Sequence, residues 1–340
     1  MVYNKHISIL YILTFLCITG CGTEEVPEPK LYKKGKIIIL ENRHLAEYGD
    51  VFTLDGESYT YINEEMLRTL IEEDIDKIDR VITSGITNMN ALFSINNIEE
   101  KAYEFNGNIE SWDMASVETT NSMFAGCRIF NQDISEWDLS NVTDAQYMFA
   151  GCRKFDQDIS DWNVSKVKNM NSMFLYATNF NQNLNDWDVS NVTNMYWMFS
   201  SAHSFNGQLS NWDLSKVTTM ESMFYNAVSF KQEIGDWDTS NVTNMNSMFT
   251  RAIEFNSCIG SWNVTQVTNM ASMFENAISF RKSISSWNVS SVNYMDRMFY
   301  NAKMFNQDLS QWYVSNSIGL TDNFATGANM WQESFKPNFN

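Results

Sequence analysis

A tryptophan recurs every 25 residues along most of the chain, and this spacing limits the possible folds more than any other feature. The series consists of Trp112, Trp137, Trp162, Trp187, Trp212, Trp237, Trp262, Trp287 and Trp312. A phenylalanine keeps the same spacing from Phe105 to Phe305, and a Met-Phe pair does so from Met123-Phe124 to Met298-Phe299. Because no insertion interrupts the period, the sequence predicts a repeat protein in which each unit packs in register against an equivalent neighbour.

One repeat reads F-N-x-x-[IL]-x-x-W-[DN]-x-S-x-V-T-x-M-x-x-M-F-x-x-A. Trp137 and Leu139 alternate with the polar Asp138, which predicts a short strand. Ser140 and Asn141 then predict a turn. The run V-x-x-M-x-x-M-F-x-x-A has apolar spacings of three and four, which predict a short α-helical or 3₁₀ segment. We therefore predict an α/β repeat solenoid with one short strand and one short helical or 3₁₀ segment per 25-residue turn, in about ten turns.

The two ends depart from the repeat, as capping units do. Residues 36–82 are predicted to form a small α+β N-terminal cap, with strands at "KIIIL", "DVFTL" and "SYTYI" and a helix at "NEEMLRTLIEE". Asn63 is expected to cap that helix, with Glu64 and Glu65 in its first turn. The repeat array is placed at residues 83–329, and residues 330–340 are expected to cover its open end.

The first 20 residues are predicted to be a signal peptide rather than part of the fold. Lys5 and His6 precede an apolar stretch of about twelve residues, which is shorter than the ~20 residues a spanning helix needs. The stretch ends in Ile18-Thr19-Gly20-Cys21, which resembles a bacterial lipobox. Cys21 is therefore the expected lipidation site and mature N-terminus; the alternative is an ordinary signal peptide with an incidental cysteine.

Residues 21–35 are rich in Glu, Pro, Lys and Gly and are predicted to be a tether. Glu24 and Glu25 resemble the surface-export signal of Bacteroidetes lipoproteins. The predicted location is therefore the cell envelope, with a lipid anchor in the outer membrane and the chain exposed at the surface.

The formal net charge of −18 argues against a nucleic-acid partner, because phosphates repel an acidic surface. A hydrophobic content of 44 % is enough for a continuous core and argues against general disorder.

The sequence contains little that indicates catalysis. His44 and His203 are far apart in the chain, and no zinc-type spacing, nucleophile elbow or P-loop string is present. The pairs Asp186/Asp188 and Asp236/Asp238 leave a glycosidase or a calcium site open as minor alternatives. The recurring Ser and Asn positions are expected to satisfy backbone groups at turns. We predict no enzyme activity, no cofactor and no bound metal.

Cys127 and Cys152 occupy the same position in adjacent repeats, where later repeats carry alanine. Stacked residues lie about 5 Å apart, which a disulfide can span outside the cytoplasm. The favoured interpretation is that both cysteines fill a small-residue position in the core, with a disulfide as the alternative. Cys258 has no evident partner.

Departures from the repeat indicate where a ligand binds. The residue two before Phe of the Met-Phe pair is usually Ser, but it is Tyr147 in one repeat and Trp197 in another. With Tyr176, Tyr196 and Tyr225, these residues are predicted to form an exposed aromatic strip that suits protein or sugar contact. The alternative is neutral variation at tolerant surface positions.

The string [IL]-x-x-W-[DN]-V-S-x-V-T-N-M-x-x-M-F-x-x-A-x-x-F-N resembles the BspA-like leucine-rich-repeat surface proteins, and in particular their Trp-containing branch found in Mycoplasma lipoproteins. The lead-in "ESYTYINEEMLRTLI" followed by "VITSGITNM" also resembles the family's entry into its array. The resemblance implies a bacterial surface lipoprotein with a leucine-rich-repeat-like solenoid that adheres to a protein or glycan on another cell or matrix. Two alternatives remain open: a carbohydrate-binding lipoprotein of an uptake system, and a structural envelope spacer without a tight ligand.

Overall fold

The structure is a computed structural model that describes residues 27–314 and 323–339. The predicted signal peptide, the lipidation site Cys21 and the first part of the predicted tether lie outside the described residues. No helix within the described ranges is both long and apolar enough to cross a membrane.

The chain begins with a hairpin that the sequence analysis did not predict. Strand β1 (Lys30–Lys34) pairs antiparallel with β2 (Ile37–Glu41), and Gly35 at φ +60° opens the two-residue turn between them. A positive φ at this position suits glycine and type II′ hairpins. The predicted tether over residues 21–35 is therefore wrong for residues 30–34, because β2 supplies a pairing partner and Leu31 packs against a small apolar cluster.

A second sheet completes the N-terminal cap. Strand β3 (Val51–Leu54) pairs antiparallel with β4 (Glu57–Tyr61), and β4 pairs in parallel with β5 (Val81–Ile82). The chain crosses from β4 to β5 through helix α1 (Glu64–Glu73) and a 3₁₀ helix (Ile75–Arg80). The three strands and the helix predicted for this region are confirmed.

The start of α1 follows the capping rule. The Asn63 side chain accepts a hydrogen bond from the Met66 amide at 2.9 Å, and Glu64 and Glu65 lie in the first turn, where the helix dipole favours negative charge. Leu67 and Ile71 bury one face of the helix against the core. Past β5, a short helix α2 (Ile95–Ile98) and a 3₁₀ helix (Glu99–Glu104) lead into the repeats.

The hairpin β1–β2 is held against the first repeats by polar contacts. The Ile38 amide donates to the Ser111 carbonyl at 2.9 Å, and the Lys36 amide donates to the Glu136 carboxylate at 2.7 Å. The Lys36 ammonium lies 2.5 Å from Asp133. Hydrogen bonds from Lys36 and Ser135 lower the pKa of Asp133 from 3.8 to about 2.

Consecutive repeats stack in register, so the 25-residue period of the sequence corresponds to a repeat fold. One residue per repeat forms an isolated parallel bridge with its equivalents in the neighbouring repeats. The bridged series is Asn88, Thr119, Asp144, Asn169, Asn194, Thr219, Asn244, Asn269 and Tyr294. This series lies just before the first Met of most repeats, a position held by Thr120 and Ala145 in two of them, whereas the strand was predicted around the tryptophan.

The predicted strand around the tryptophan is wrong. Trp187 lies between a turn at residues 185–186 and another at residues 190–191. The Asn183 and Asp188 side chains each accept the amide of the residue two positions later, at 3.1 and 3.0 Å. Such local side-chain bonds compete with strand pairing and bend the chain on both sides of the tryptophan.

The predicted helical or 3₁₀ segment at Met-x-x-Met-Phe is also wrong, because the segment is a series of turns. Backbone amides alternate between two kinds of acceptor. The Met198 amide donates to Met195 in the same repeat at 3.2 Å, and the Phe199 amide donates to Met223 in the next repeat at 2.9 Å. Half of the amides therefore join neighbouring repeats rather than closing a helix.

The core is a continuous stack of aromatic rings. Phe199 lies 4.0 Å from Phe205 and 5.6 Å from Phe224, measured between ring centroids, with nearly parallel planes. Most of the buried indoles also bond to the unit before them, as the Trp187 Nε1 does when it donates to the Ile159 carbonyl at 2.9 Å; Trp137 and Trp312 are the exceptions in the described array. A repeat cannot bury these rings alone, so its stability depends on an equivalent neighbour.

The recurring asparagine after the first phenylalanine also joins repeats. The Asn181 Oδ1 accepts the amide of Asn206 at 2.8 Å, and the Asn206 Oδ1 accepts the amide of Lys231 at 3.0 Å. These bonds form a ladder along the stack, which supports the structural interpretation of the asparagine positions.

At the C-terminal end, aromatic rings pack edge-on rather than face to face. Trp331 packs edge-on against Phe305 at 4.8 Å with an interplanar angle of 87°, whereas rings inside the array lie nearly parallel. The Leu309 amide donates to the Phe335 carbonyl at 2.8 Å, at the end of a final 3₁₀ helix (Glu333–Phe335). The tail therefore covers the last repeat.

Candidate functional site

Two positions in each repeat have left-handed backbone. The first left-handed position directly precedes the second Met of the repeat and has φ between +54° and +56°. It is occupied by Ser122, Tyr147, Ser172, Trp197, Ser222, Ser247, Ser272 and Arg297. The second left-handed position lies four residues later. It is occupied by Gly126, Gly151, Tyr176, Ser201, Asn226, Arg251, Asn276 and Asn301.

The first left-handed position is the third residue of a β-turn. The Met198 amide bonds to the Met195 carbonyl, and the residue between them with positive φ is Trp197. This combination is that of a type II turn, in which Gly or Asn is the easiest residue to accommodate. Every residue with a Cβ carries a conformational cost there, because the Cβ lies close to the backbone, and a bulky side chain carries the larger cost.

Trp197 and Tyr196 form a stacked pair on the outside of the array. Their ring centroids lie 4.9 Å apart with an interplanar angle of 14°. Trp197 is 37 % exposed and Tyr196 is half-buried. The pair is therefore the one place in the predicted strip where two of its rings are in contact among the described residues.

A carboxylate and a second tyrosine lie beside this pair. The Trp197 amide donates to the Glu221 main-chain carbonyl at 3.0 Å, so the two residues lie side by side in adjacent repeats. Burial raises the pKa of Tyr196, and the negative charges of Glu221 and of ionised Tyr147 raise it further. We call Tyr147, Tyr196, Trp197 and Glu221 the Trp197 cluster.

The other two predicted strip residues lie apart from the cluster. Tyr176 occupies the second left-handed position and is 53 % exposed, while Tyr225 is half-buried. Within residues 27–314 and 323–339, neither ring contacts another aromatic ring. The structure therefore does not bring all five rings together, because Tyr147, Tyr196 and Trp197 lie at or beside the first left-handed position and Tyr176 and Tyr225 lie at or beside the second.

Sequence reasoning missed a charged cluster around the first left-handed position of a later repeat. Arg297 occupies the first left-handed position and donates to the Glu275 carboxylate through two nitrogens, at 2.5 and 2.9 Å. Its guanidinium carbon also lies 3.9 Å from the centre of the Tyr300 ring. We call Glu275, Arg297 and Tyr300 the Arg297 cluster. Arg297 in a serine position was the signal that could have identified it.

The charged side chains of the Arg297 cluster interact strongly with each other. Burial raises the pKa of Glu275, but hydrogen bonds from Arg297 and Ser272 outweigh burial and hold that pKa below its usual value. The same contacts raise the pKa of Arg297. The outer surface of the repeats therefore already holds one guanidinium between a carboxylate and a tyrosine ring.

Cys127 and Cys152 are free, buried thiols. The Sγ of Cys127 donates to the Phe93 carbonyl and that of Cys152 to the Phe124 carbonyl, both at 3.1 Å. Burial raises the pKa of both thiols. This geometry supports the interpretation that they fill a small core position, and Cys258 is free and exposed.

The paired aspartates have a structural use. Asp188 and Asp238 each accept, through Oδ1, the amide of the serine two residues later, at 3.0 and 2.9 Å. The described part of the chain contains no group of three or more His, Cys, Asp or Glu side chains placed to hold a metal. Nothing in the geometry of these pairs points to a glycosidase.

A cleft between the cap and the first repeat lies away from the Trp197 cluster. Its volume is about 530 Å³, and its walls come from residues 75–79 of the cap and residues 101–108 before and within the first repeat. Asp76, Asp79 and Glu104 line it together with Lys101. Its mixed charges do not form a recognisable catalytic arrangement.

Comparisons with known proteins bear on the repeats. A solved structure titled "Functional domain of InlJ from Listeria monocytogenes includes a cysteine ladder" shares 11 % identity with the chain, with a TM-score of 0.15. That match covers 71 % of this chain and 62 % of the other, and its TM-score is too low to support any statement about the fold. A comparison with curated proteins finds no match.

A family described as "Mycoplasma protein of unknown function, DUF285" matches residues 63–175, 157–238 and 229–336. The three matches together run from α1 to the C-terminal tail and include every repeat tryptophan. The chain therefore belongs to this Mycoplasma-type repeat family, DUF285.

Proposed function

We propose that this protein is a bacterial cell-surface lipoprotein whose repeats bind another macromolecule. In this proposal the stacked repeats form a leucine-rich-repeat-like solenoid of the BspA-like type. The parallel bridges between equivalent residues and the in-register aromatic stack support it. A stack of repeats offers an extended surface on which several weak contacts can act together.

The observation that carries the proposal is Trp197. An indole that is 37 % exposed, stacked on Tyr196 and placed at positive φ has no role in the core. Serine occupies the same position in the repeats before and after it, with a smaller conformational cost than a bulky side chain. Large side chains kept at strained positions indicate function, and exposed Trp and Tyr are suited to binding.

The proposed anchor is Cys21, which follows the predicted signal peptide and carries the lipid. The proposed ligand is a protein or a glycan on another cell or matrix, and the acidic charge of the chain disfavours nucleic acid. The proposal assigns the protein no catalytic step and no cofactor.

The binding role is tested with immobilised matrix proteins and glycans and the full-length protein. We expect Trp197→Ser to weaken binding, because serine keeps the turn and removes the indole. Tyr313→Asn is the matched control, since Tyr313 is 65 % exposed but lies far along the array, where the preceding repeat has Asn288. Equal binding by both variants and the unchanged protein contradicts a role for Trp197.

The same assay separates two other candidate functions. A carbohydrate-binding role, which the exposed aromatic pair also favours, predicts binding to glycans alone and loss of that binding in Trp197→Ser. A structural spacer predicts no binding to either class of ligand.

The proposed location is tested by protease treatment of intact cells. Loss of the chain while a periplasmic control protein survives supports surface exposure. Full protection of the chain contradicts an adhesive role and favours a role within the envelope.

A further inference from the structure

We infer that the Trp197 cluster binds an arginine side chain of a protein partner. The inference rests on the proposed binding function and names the chemistry that the partner presents. It is carried by three observations: the contents of the cluster, a matching arrangement within the same chain, and the charge of the molecule.

The cluster combines aromatic faces with a carboxylate. Tyr196 and Trp197 stack at 4.9 Å between ring centroids, and the Trp197 amide donates to the main-chain carbonyl of Glu221. The negative charge of the Glu221 carboxylate raises the pKa of Tyr196. Aromatic faces attract cations, and a neighbouring carboxylate gives a guanidinium a hydrogen-bonding partner. A sugar uses the rings but has no need for the carboxylate charge.

Glu221 retains an oxygen for such a partner. Its Oε2 accepts a hydrogen bond from the Asn244 side chain at 2.6 Å, which holds the carboxylate in place. No other described residue bonds its second oxygen. Glu275, in contrast, uses both oxygens to bind Arg297.

The Arg297 cluster is the matching arrangement in its chemistry, although its carboxylate and its ring occupy other repeat positions than Glu221 and Tyr196. There, the guanidinium lies between a carboxylate of one repeat and a tyrosine ring of the next. The Trp197 cluster offers a carboxylate and two aromatic rings, but no described arginine or lysine forms an ion pair with Glu221. An arginine from outside would meet the same kinds of partner here, a carboxylate and aromatic rings.

The overall charge favours a basic partner. The chain carries 41 acidic and 23 basic side chains, so a cationic protein segment is attracted to it from a distance. Arginine suits the site better than lysine, because its planar guanidinium can stack on a ring and donate to a carboxylate together.

The test titrates the full-length protein with a fluorescein-labelled peptide of about twelve residues that alternates Arg and Gly. Ionic strength is held near physiological, about 0.15 M, so that general attraction between distant charges is screened. The control peptide carries citrulline, which keeps the planar shape of arginine and lacks its charge. Binding is measured by fluorescence anisotropy.

We expect the arginine peptide to bind at least about tenfold more tightly than the citrulline peptide. Trp197→Ser and Glu221→Gln should each weaken its binding by about 3- to 30-fold. Asp236→Asn removes one exposed negative charge elsewhere on the array and should change binding by less than about twofold. Circular dichroism confirms that each variant is folded.

Three results overturn the inference. They are the absence of binding, equal binding of the two peptides, and equal weakening by Glu221→Gln and Asp236→Asn. If matrix proteins or glycans still bind and depend on Trp197, the proposed binding function survives and the arginine partner alone is lost. If no ligand of any class binds, both fail.

Discussion

Phe199 and Trp197 are two residues apart in one repeat, yet they lie in two regions that constrain their side chains differently. Phe199 lies inside the aromatic stack, where the adjacent repeats have Phe174 and Phe224 in the same position. Trp197 lies on the outward turns, where the adjacent repeats have serine. In the aromatic stack, packing against the neighbouring rings permits only one side-chain shape. On the outward turns, the backbone conformation only makes some side chains more costly than others.

The difference explains where function can develop in such a protein. A change of shape in the stack disturbs the repeats on both sides, because interior side chains are close-packed. A change at the first left-handed position leaves the stack intact. Serine, tyrosine, tryptophan and arginine are all found there on the same turn.

The largest expected effect comes from breaking the interior. Phe199→Ala should lower the free energy of unfolding by about 3–5 kcal/mol, because it removes a fully buried ring between two stacked neighbours. Urea denaturation followed by circular dichroism measures the change. If Phe199→Ala costs no more than Trp197→Ser, the distinction between the two regions fails.

Cysteine labelling compares the same two regions without mutation. Cys258 is exposed, whereas burial raises the pKa of Cys127 and keeps its thiol from ionising. We expect iodoacetamide to label Cys258 at least about a hundredfold faster than Cys127 or Cys152 in the folded protein. Peptide mass spectrometry measures the three rates.

The same reaction tests the disulfide alternative. In denaturant without reductant, Cys127 and Cys152 should both label. If they label only after reductant is added, the two thiols are joined in the protein and the core-filling interpretation is wrong.

Trp197→Ser should have a small effect on stability, within about 1 kcal/mol in either direction. Removing the bulky side chain relieves the left-handed turn, while losing the ring contact with Tyr196 removes a contribution of similar size. Thermal melting measures the change. A loss above about 2 kcal/mol would place Trp197 in the structural core of the repeat.

The smallest expected effect concerns the hairpin that lies against the first repeats. Hydrogen bonding to Lys36 lowers the pKa of Asp133 from 3.8 to about 2. The carboxylate therefore adds stability above its unfolded pKa, and that stability is lost as the pH falls through about 4 to 2. Because both side chains are more than a third exposed, the contribution should be below about 1 kcal/mol.

Asp133→Asn tests this contribution. The variant should be slightly less stable than the unchanged protein at pH ~6, and the difference should vanish near pH ~2. Urea denaturation at the two pH values measures it. A difference that persists at low pH would assign the effect to packing rather than to charge.

Much of the architecture could be predicted from the sequence, because it depends on side-chain pattern. The period, the interior Phe, Trp and Met positions, and the cap with its Asn63-capped helix follow from spacing and capping chemistry. The hairpin strand β1 was missed because Lys30–Lys34 is mostly polar and pairs through its backbone.

The path within each repeat could not be predicted in the same way. Apolar spacings of three and four show which side chains face the core, and they fit both a helix and a series of type II turns. The useful signal was the position shared by Gly126, Gly151 and Asn226, since Gly and Asn are favoured where φ is positive. Without those turns, the outward aromatics were merged into a single strip.

The asparagine ladder has a consequence for how the gene can change. Each ladder asparagine binds the amide exactly one repeat ahead, as Asn181 does with Asn206. Recombination that duplicates or deletes one whole repeat leaves every such bond with an equivalent partner, whereas a single-codon insertion changes the spacing of the bonds that span it. Whole-repeat changes therefore disturb the ladder least, and each duplication can carry a copy of the Trp197 cluster further along the surface.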